Sequence, residues 1–207
     1  WRFIWCTHYY YVSALCEVKN IPETKVHSTT GRKNYWIYWK NTWLYWEEGI
    51  ELTINRIKYW IIDVDGTMTD GGIYYDSNGN EVKKFNTRDA AGIFVCKKLG
   101  IKTVVITGRT SKATEKRMSE IKIDYLFQGI KDKLFFLEKF IDEHHIEKNQ
   151  IGYIGDDLND FQAMKLAGYV ACPCDACFEI RQVADYISPI KGGEGVIRDV
   201  IEHSLRN

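Results

Sequence analysis

From residue 57 to the end of the chain, short apolar runs alternate with helical segments. This order predicts an α/β fold, in which the strands form one open, parallel, Rossmann-like sheet flanked by helices. The expected strands are Tyr59–Asp63, Lys102–Thr107, Asp124–Phe127, Ile151–Gly155, Tyr169–Cys172 and Asp185–Ile187. The expected helices are Ala90–Leu99, Ser111–Ile121, Lys133–His144, Asp160–Ala167 and Gly195–Leu205.

One segment interrupts this alternation. Gly72–Phe85 contains two strand-like runs that flank Asn78 and Gly79, a dipeptide typical of tight turns. The pattern predicts a β-hairpin inserted after the first strand, where a helix would otherwise be expected. Only this hairpin and one helix fit between Asp65 and Thr107. The sequence therefore leaves no room for a large inserted domain between these two residues.

Residues 1–56 differ in composition from the rest of the chain and carry no chemical motif. Six of the seven tryptophans lie at or before Trp46, and Tyr9–Val12 and Trp36–Trp39 are candidate strands. The basic residues among these aromatics are compatible with stacking on nucleic-acid bases, but a packing appendage is the favoured interpretation. We expect an N-terminal extension of unknown role over residues 1–56 and one α/β domain over residues 57–207.

The charge balance excludes some kinds of partner. The 28 basic and 28 acidic residues give the 207-residue chain no net charge. Nothing in this balance favours electrostatic attraction to nucleic acid or to a membrane surface. No apolar run reaches the roughly 18 residues that a membrane-spanning helix needs.

The six cysteines of the chain are interpreted as free thiols in a reducing compartment, so the expected location is the cytoplasm. Cys172, Cys174 and Cys177 form a cluster that could suggest a metal site. Zinc usually takes four ligands, often from paired clusters, and only one cluster is present. Packing as small apolar residues is therefore the favoured role.

Two carboxylates follow directly after the first expected strand. Asp63 and Asp65 lie two residues apart, and Gly66 after them allows the backbone to turn tightly. Residues i and i+2 of an extended strand point to the same side, where two like charges repel unless a cation or a proton separates them. This arrangement suits a divalent cation, with one carboxylate as nucleophile and the other as proton carrier. The alternative is a solvated strand end.

Other polar groups follow the next strands. Thr107–Arg109 comes after the second strand, Lys133 begins the helix after the third, and Asp156–Asp160 comes after the fourth. Each segment alone could be a helix cap or a solvated surface. In open α/β sheets, however, ligands bind beyond the carboxyl ends of the strands. The shared position predicts one site that handles a phosphate and a cation.

These four segments together resemble the motifs of the haloacid dehalogenase superfamily of aspartate-nucleophile phosphotransferases, over about residues 57 to 206. The resemblance implies that Asp63 forms an aspartyl-phosphate and that Asp65 protonates the leaving oxygen and then deprotonates the attacking water. It implies that Mg²⁺ is held by Asp63, the backbone carbonyl of Asp65, and Asp156. It assigns the phosphoryl oxygens to Thr107 and Lys133. For Asp157 and Asp160, the resemblance implies a possible further Mg²⁺ ligand and a residue that supports the ligands.

The hairpin region, Tyr125–Gly129 and Lys191–Gly195 closely resemble the capless subfamily of 3-deoxy-D-manno-octulosonate 8-phosphate phosphatases. The resemblance implies a Mg²⁺-dependent phosphatase of lipopolysaccharide precursor synthesis. It also implies a homotetramer in which the hairpins assemble the subunits and a neighbour helps to close each site. A sister group acts on nine-carbon keto acid 9-phosphates, and a related capless domain at the C-terminus of sialic acid cytidylyltransferases mainly supports oligomerisation. Both stay open as alternatives.

The substrate-binding candidates are cationic or lie beside the motifs. Arg88 and Arg109 could bind the carboxylate of a sugar acid, since guanidinium binds carboxylates in a bidentate manner. In the family that the chain resembles, an arginine directly after Thr-Gly, here Arg109, favours the eight-carbon substrate. Thr67, Gly108 and Lys191 complete the set of candidates. A surface or intersubunit salt bridge is the alternative role of each arginine.

Overall fold

The computed structural model of the chain describes residues 26–29, 34–39, 42–47 and 57–206. The chain divides into two compact units, residues 1–51 and 52–207. The domain boundary expected after residue 56 and the candidate strand Tyr9–Val12 lie outside the described residues.

The first unit contains a small antiparallel sheet. Its strands are β1 (Val26–Thr29), β2 (Asn34–Trp39) and β3 (Thr42–Glu47), with β2 in the centre. Ile37 of β2 lies opposite Val26 on one side and Leu44 on the other. The candidate strand Trp36–Trp39 therefore lies within β2.

The second unit contains the expected parallel sheet and the expected hairpin. Its strands are β4 (Tyr59–Ile62), β5 (Tyr74–Tyr75), β6 (Glu81–Val82), β7 (Lys102–Ile106), β8 (Tyr125–Phe127), β9 (Ile151–Ile154), β10 (Tyr169–Cys172) and β11 (Tyr186–Ile187). Six of them form an open sheet in the order β11-β10-β9-β4-β7-β8, with every pairing parallel. β5 and β6 form the antiparallel hairpin after β4. The predicted fold class is confirmed.

The helices are α1 (Thr87–Leu99), α2 (Lys112–Ile121), α3 (Lys133–His144), α4 (Leu158–Met164), α5 (Phe178–Val183) and α6 (Val196–Ser204). α1 begins three residues earlier than expected because the side chain of Asn86 accepts a hydrogen bond from the backbone N–H of Arg88 and caps the helix. The sequence analysis did not identify α5. With six residues it is too short to show a helical period.

The central strands are buried on both faces. Trp60, Ile62 and Val105 pack on one side of the sheet, while Ile61 and Val104 pack on the other. Successive strand residues point to opposite faces, so each strand of this sheet contributes to two cores. The rigid, two-sided core fixes the carboxyl ends of β4, β7 and β9 relative to one another.

None of the helices in the described part of the chain has the length and apolar character needed to span a bilayer. Cys96, Cys172, Cys174 and Cys177 are free thiols. The expected cytoplasmic location stays a prediction.

Asp89 in the first turn of α1 is buried, with 1% of its surface exposed. One carboxylate oxygen accepts a hydrogen bond from the backbone N–H of Ile197 at 3.1 Å, and the other has no partner. Burial raises the pKa of Asp89 from 3.8 to about 7. Between these values the folded state binds a proton that the unfolded state has released, so the free energy of unfolding falls as pH rises through this window.

We therefore expect Asp89→Asn to flatten this part of the pH dependence and to unfold at a higher urea concentration than the wild type at about pH 8. Urea unfolding at about pH 5 and about pH 8 measures the difference. Asp142→Asn, at an exposed position of α3, is the matched control. An equal loss of stability at both pH values in Asp89→Asn would show that the carboxylate is needed in its charged form.

Candidate active site

Asp63 follows β4, and the irregular turn Val64–Met68 follows Asp63. Gly66 in this turn has a φ of +93°, which favours glycine. A Cβ at Gly66 would lie 2.0 Å from Oδ2 of Asp156, so a side chain there would also displace this carboxylate. The hydroxyl of Thr67 donates to Oδ1 of Asp156 at 2.8 Å. The turn after β4 and the acidic segment after β9 are thus in direct contact.

A buried charge cluster lies beneath the turn. Lys133, the first residue of α3, is 2% exposed. Its Nζ donates to Oδ1 of Asp63 at 2.5 Å and to Oδ1 of Asp160 at 2.7 Å. The hydroxyl of Tyr153 donates to the same Asp160 oxygen at 2.7 Å. One lysine therefore pairs with two buried carboxylates and fixes the position of Asp63.

These contacts shift the pKa values in the cluster. Burial and the neighbouring charge of Asp160 raise the pKa of Asp63 well above 3.8, although Lys133 opposes them. Burial lowers the pKa of Lys133, but the charges of Asp63 and Asp160 outweigh burial and raise it overall. Burial also raises the pKa of Asp156 to about 6. The site holds more buried negative charge than its one lysine can balance.

The acidic groups fit a divalent cation. Carboxylate oxygens of Asp63, Asp156 and Asp160 all lie within 4.8 Å of one another. Mg²⁺ prefers oxygen ligands and needs few carboxylates because it keeps several waters. Burial and, to a smaller extent, the charge of Asp160 raise the pKa values of Asp63 and Asp156, and a cation at this position would oppose both effects. Within the described residues, Cys172, Cys174 and Cys177 do not gather into a comparable group of ligand atoms.

A cavity of about 300 Å³ opens beside this cluster. Its walls are formed by the ends of the strands and the loops after them: Asp63, Asp65, Gly66, Gly71, Thr107, Gly108, Arg109, Asp156, Asp157 and Asn159. Seven of these residues were predicted site residues: Asp63, Asp65, Thr107, Gly108, Arg109, Asp156 and Asp157. The parallel topology brings these side chains together because they follow strands that end at one edge of the sheet.

Other predicted site residues do not line the cavity. Lys133 and Asp160 lie beneath Asp63, where they contact it directly or through each other. Thr67 contacts Asp156. Arg88 is exposed on α1 and packs near Gly195, and Lys191 is exposed on the loop before α6. The substrate-binding roles of Thr67, Arg88 and Lys191 stay predictions.

The loop at Gly192 and Gly193 packs on the turn after β4 of the same chain. The backbone N–H of Gly193 donates to the carbonyl of Thr67 at 3.0 Å, and that of Gly192 donates to Oδ1 of Asp175 at 3.0 Å. A Cβ at Gly192 would lie 1.9 Å from the carbonyl oxygen of Gly66. Glycine at this position therefore permits a close backbone approach that supports the turn carrying Asp65.

Sequence reasoning missed several residues around the cavity. Lys83, just after β6, forms an ion pair with Oδ1 of Asp65. Glu81 of β6 accepts from Nη2 of Arg109 at 2.5 Å. Glu81 and Lys83 alternate with Val82, which places them on one face of the hairpin. That alternation was visible in the sequence, but which face turns to the site depends on how the hairpin folds back.

Comparison with known proteins identifies relatives of the chain. Residues 75–172 match the family Haloacid dehalogenase-like hydrolase. The chain is 37% identical over 147 residues to the 3-deoxy-D-manno-octulosonate 8-phosphate phosphatase KdsC of Escherichia coli K12, a match that covers 71% of this chain and 78% of that protein. The corresponding protein of Yersinia pestis is 38% identical over 147 residues and is covered to 79%.

Solved structures show the same relationship. The 3-deoxy-D-manno-octulosonate 8-phosphate phosphatase of Moraxella catarrhalis, in complex with magnesium, phosphate and KDO, is 37% identical with a TM-score of 0.71. The match covers 77% of this chain and 92% of that one. The cobalt-bound deoxy-D-mannose-octulosonate 8-phosphate phosphatase of Haemophilus influenzae is 30% identical with a TM-score of 0.70, covering 74% and 90% of the two chains. The chain belongs to the haloacid dehalogenase-like hydrolases, within the capless group that contains the 3-deoxy-D-manno-octulosonate 8-phosphate phosphatases.

Proposed function

We propose that this protein is a Mg²⁺-dependent phosphatase that hydrolyses 3-deoxy-D-manno-octulosonate 8-phosphate to the free sugar acid and inorganic phosphate. The observation that carries the proposal is the cavity at the ends of β4, β7 and β9, where Asp63, Asp65, Thr107 and Arg109 meet above the buried Lys133. The relatives that share this fold act on the same phosphorylated sugar acid by name.

The geometry suits a two-step transfer. An oxygen of Asp63 attacks phosphorus and forms an aspartyl-phosphate, while the bond between phosphorus and the sugar oxygen breaks and Asp65 gives its proton to that oxygen. In the second step Asp65 takes a proton from water, which attacks phosphorus and frees Asp63 and phosphate. Lys133 keeps Asp63 in place through the 2.5 Å contact. Thr107, which lines the cavity, is our candidate donor to a phosphoryl oxygen.

Asp63, Asp156 and the backbone carbonyl of Asp65 would hold the Mg²⁺ ion. When bound, the ion supplies positive charge that lets one anion approach another and that balances the charge on the transferring phosphoryl oxygens. Burial raises the pKa of Asp63 and of Asp156, so a bound cation would stabilise both groups in their charged form.

The direct experiment is a phosphate-release panel with octulosonate 8-phosphate and nonulosonate 9-phosphates, with and without Mg²⁺. We expect Mg²⁺-dependent release with a preference for the eight-carbon ester. A preference for the nine-carbon esters would favour the sister activity. Unchanged oligomerisation with no release from any sugar phosphate would favour the non-catalytic, structural alternative.

Arg109 is the residue that we propose recognises the carboxylate of the sugar acid. It lines the cavity, and its side chain is 44% exposed beside Glu81. Arg109→Leu should raise the KM for the sugar acid phosphate by about 10- to 100-fold, since a hydrogen bond to a charged group contributes about 1.5–3 kcal/mol. Hydrolysis of p-nitrophenyl phosphate, which has no carboxylate, should change little. Initial-rate measurements check both.

The matched control is Arg198→Leu, because Arg198 is an ion-paired arginine of α6 with 46% of its side chain exposed. If Arg109→Leu leaves the KM for the sugar acid phosphate unchanged, another group binds the carboxylate, and Arg88 is the next candidate.

We also propose that the chain forms a homotetramer through its hairpin. The hairpin groups four exposed large apolar side chains, Ile73, Tyr74, Tyr75 and Val82, and Tyr74 lies opposite Val82 in the β5–β6 pair. A group of exposed apolar side chains of this kind favours an interaction surface. Sedimentation equilibrium would give the mass of four chains.

A further inference from the structure

We infer that Lys83 is a positioning residue for the reaction, in that its ammonium group holds the carboxyl group of Asp65 in the orientation from which the proton reaches the leaving oxygen. The inference rests on the proposed phosphatase activity and adds a role for a residue of the hairpin. Lys83 acts through Asp65 and need not touch the substrate.

The first support is the unusual burial of Lys83. Its neighbours are exposed, with Val82 at 49% and the side chain of Lys84 at 60%, yet only 3% of the Lys83 side chain is exposed. Lysine is rarely buried without a partner. Burial removes the ammonium group from water, and it restricts the rotation of the long side chain. Burial of this one lysine on an exposed hairpin therefore requires a specific partner.

The partner is the proposed acid and base. Nζ of Lys83 pairs with Oδ1 of Asp65, whose side chain is 29% exposed at the cavity wall. Asp65 lies three residues beyond the end of β4, in an irregular turn, so the sheet itself does not hold its side chain in place. A contact from the hairpin supplies the missing constraint.

Lys83 is itself held by a row of alternating charges. Its Nζ lies 3.9 Å from Oε1 of Glu81, and the same oxygen accepts from Nη2 of Arg109 at 2.5 Å. A continuous series of charged groups thus runs from Asp65 through Lys83 and Glu81 to Arg109 at the cavity wall. Through this series the hairpin, which stands where other members of the superfamily carry a cap domain, is connected to the chemistry of the site.

Leaving-group dependence can distinguish this role from a merely structural one. A sugar alkoxide is a poor leaving group and needs a proton as its bond to phosphorus breaks, whereas p-nitrophenolate leaves without one. For both esters, kcat/KM reports the steps up to release of the alcohol or phenol. Misplacing Asp65 should therefore lower kcat/KM for an alkyl phosphate far more than for p-nitrophenyl phosphate.

The test compares Lys83→Met, which keeps the length of the stem and removes the charge, with the wild type on both esters. We expect kcat/KM to fall by about 10- to 100-fold on the sugar phosphate, and by less than about threefold on p-nitrophenyl phosphate, as expected for partial loss of general acid catalysis. Lys83→Arg should restore most of the loss. Lys84→Met is the matched control, since Lys84 is exposed and lies 3.7 Å from Asp70.

A double variant tests whether Lys83 acts through Asp65. In an Asp65→Asn background, Lys83→Met should have no further effect on the sugar phosphate. Additive losses would overturn the inference by showing that Lys83 acts on the substrate itself, and equal losses on both esters would overturn it in favour of a structural role. A wild-type rate in Lys83→Met would do so as well.

The experiment separates this inference from the proposed function. Any alkyl phosphate that the wild type hydrolyses can serve as the poor-leaving-group ester, so an error in the octulosonate assignment leaves the comparison intact. Wild-type protein that hydrolyses neither ester would overturn the phosphatase proposal and, with it, the role of Lys83. Circular-dichroism melting of each variant excludes unfolding as the cause of a lost rate.

Discussion

Asp63→Asn should reduce phosphate release by about 10⁴-fold or more, the scale seen when a nucleophile is removed from a covalent enzyme. The amide of asparagine cannot form the acyl-phosphate, and it is a weaker metal ligand than a carboxylate. Asparagine has nearly the same shape as aspartate, so the position beneath the cavity stays filled. Initial rates on the sugar phosphate and on p-nitrophenyl phosphate at saturating Mg²⁺ measure the effect.

The loss should not come from unfolding. Asp63 is 3% exposed, and its charge is repelled by the charge of Asp160. Removing the charge of Asp63 relieves this repulsion and leaves Lys133 paired with Asp160. Thermal melting of Asp63→Asn should therefore be close to that of the wild type. Asp142→Asn serves as the exposed control for activity. Full Mg²⁺-dependent activity in Asp63→Asn would remove Asp63 from the role of nucleophile.

Lys133→Met should be the most destabilising of the changes considered, with a loss of about 3–5 kcal/mol in the free energy of unfolding at neutral pH. The substitution leaves Asp63 and Asp160 buried without the ammonium that pairs with both, at 2.5 and 2.7 Å. Activity should also fall strongly, since Asp63 loses the contact that orients it. Urea unfolding gives the stability, and initial rates give the activity.

Lys139→Met is the matched control for Lys133→Met, because Lys139 lies on the same helix with 65% of its side chain exposed and a 3.6 Å pair with Glu143. Its loss should stay below about 0.5 kcal/mol, as for other exposed pairs. Adding Asp160→Asn to Lys133→Met should recover part of the lost stability, because one unpaired buried charge is removed. An unfolding midpoint of Lys133→Met equal to that of the wild type would contradict the buried cluster.

The sequence was sufficient for the architecture of the second unit because its central strands are buried apolar runs separated by helices and turns. The Asn78-Gly79 turn likewise predicted the hairpin. The helix α5 is too short to show a period, and the start of α1 depended on its cap by Asn86. The antiparallel sheet of the first unit was only partly predicted, since the aromatic-rich sequence there shows neither a clear strand period nor a clear helical period.

The site was predictable to the extent that the topology determines it. Residues that follow parallel strands must meet at one edge, which is why Asp63, Thr107 and Asp156 could be grouped from the sequence. Lys83 could not, because its contact with Asp65 depends on how the hairpin folds over the edge of the sheet. Arg88 is the opposite case. Its charge made it a candidate for substrate binding, but it lies on α1 beside Gly195 and does not line the cavity.

The central claim is that the phosphoryl group passes through Asp63. Asp65→Asn with p-nitrophenyl phosphate should accumulate the covalent intermediate, because release of p-nitrophenol needs no proton whereas the attack of water needs a base. Acid quenching, borohydride reduction and peptide mapping should then find homoserine at position 63, the product expected from an aspartyl-phosphate. A burst of p-nitrophenol with no homoserine at position 63, or with the reduced residue at another position, would contradict the account.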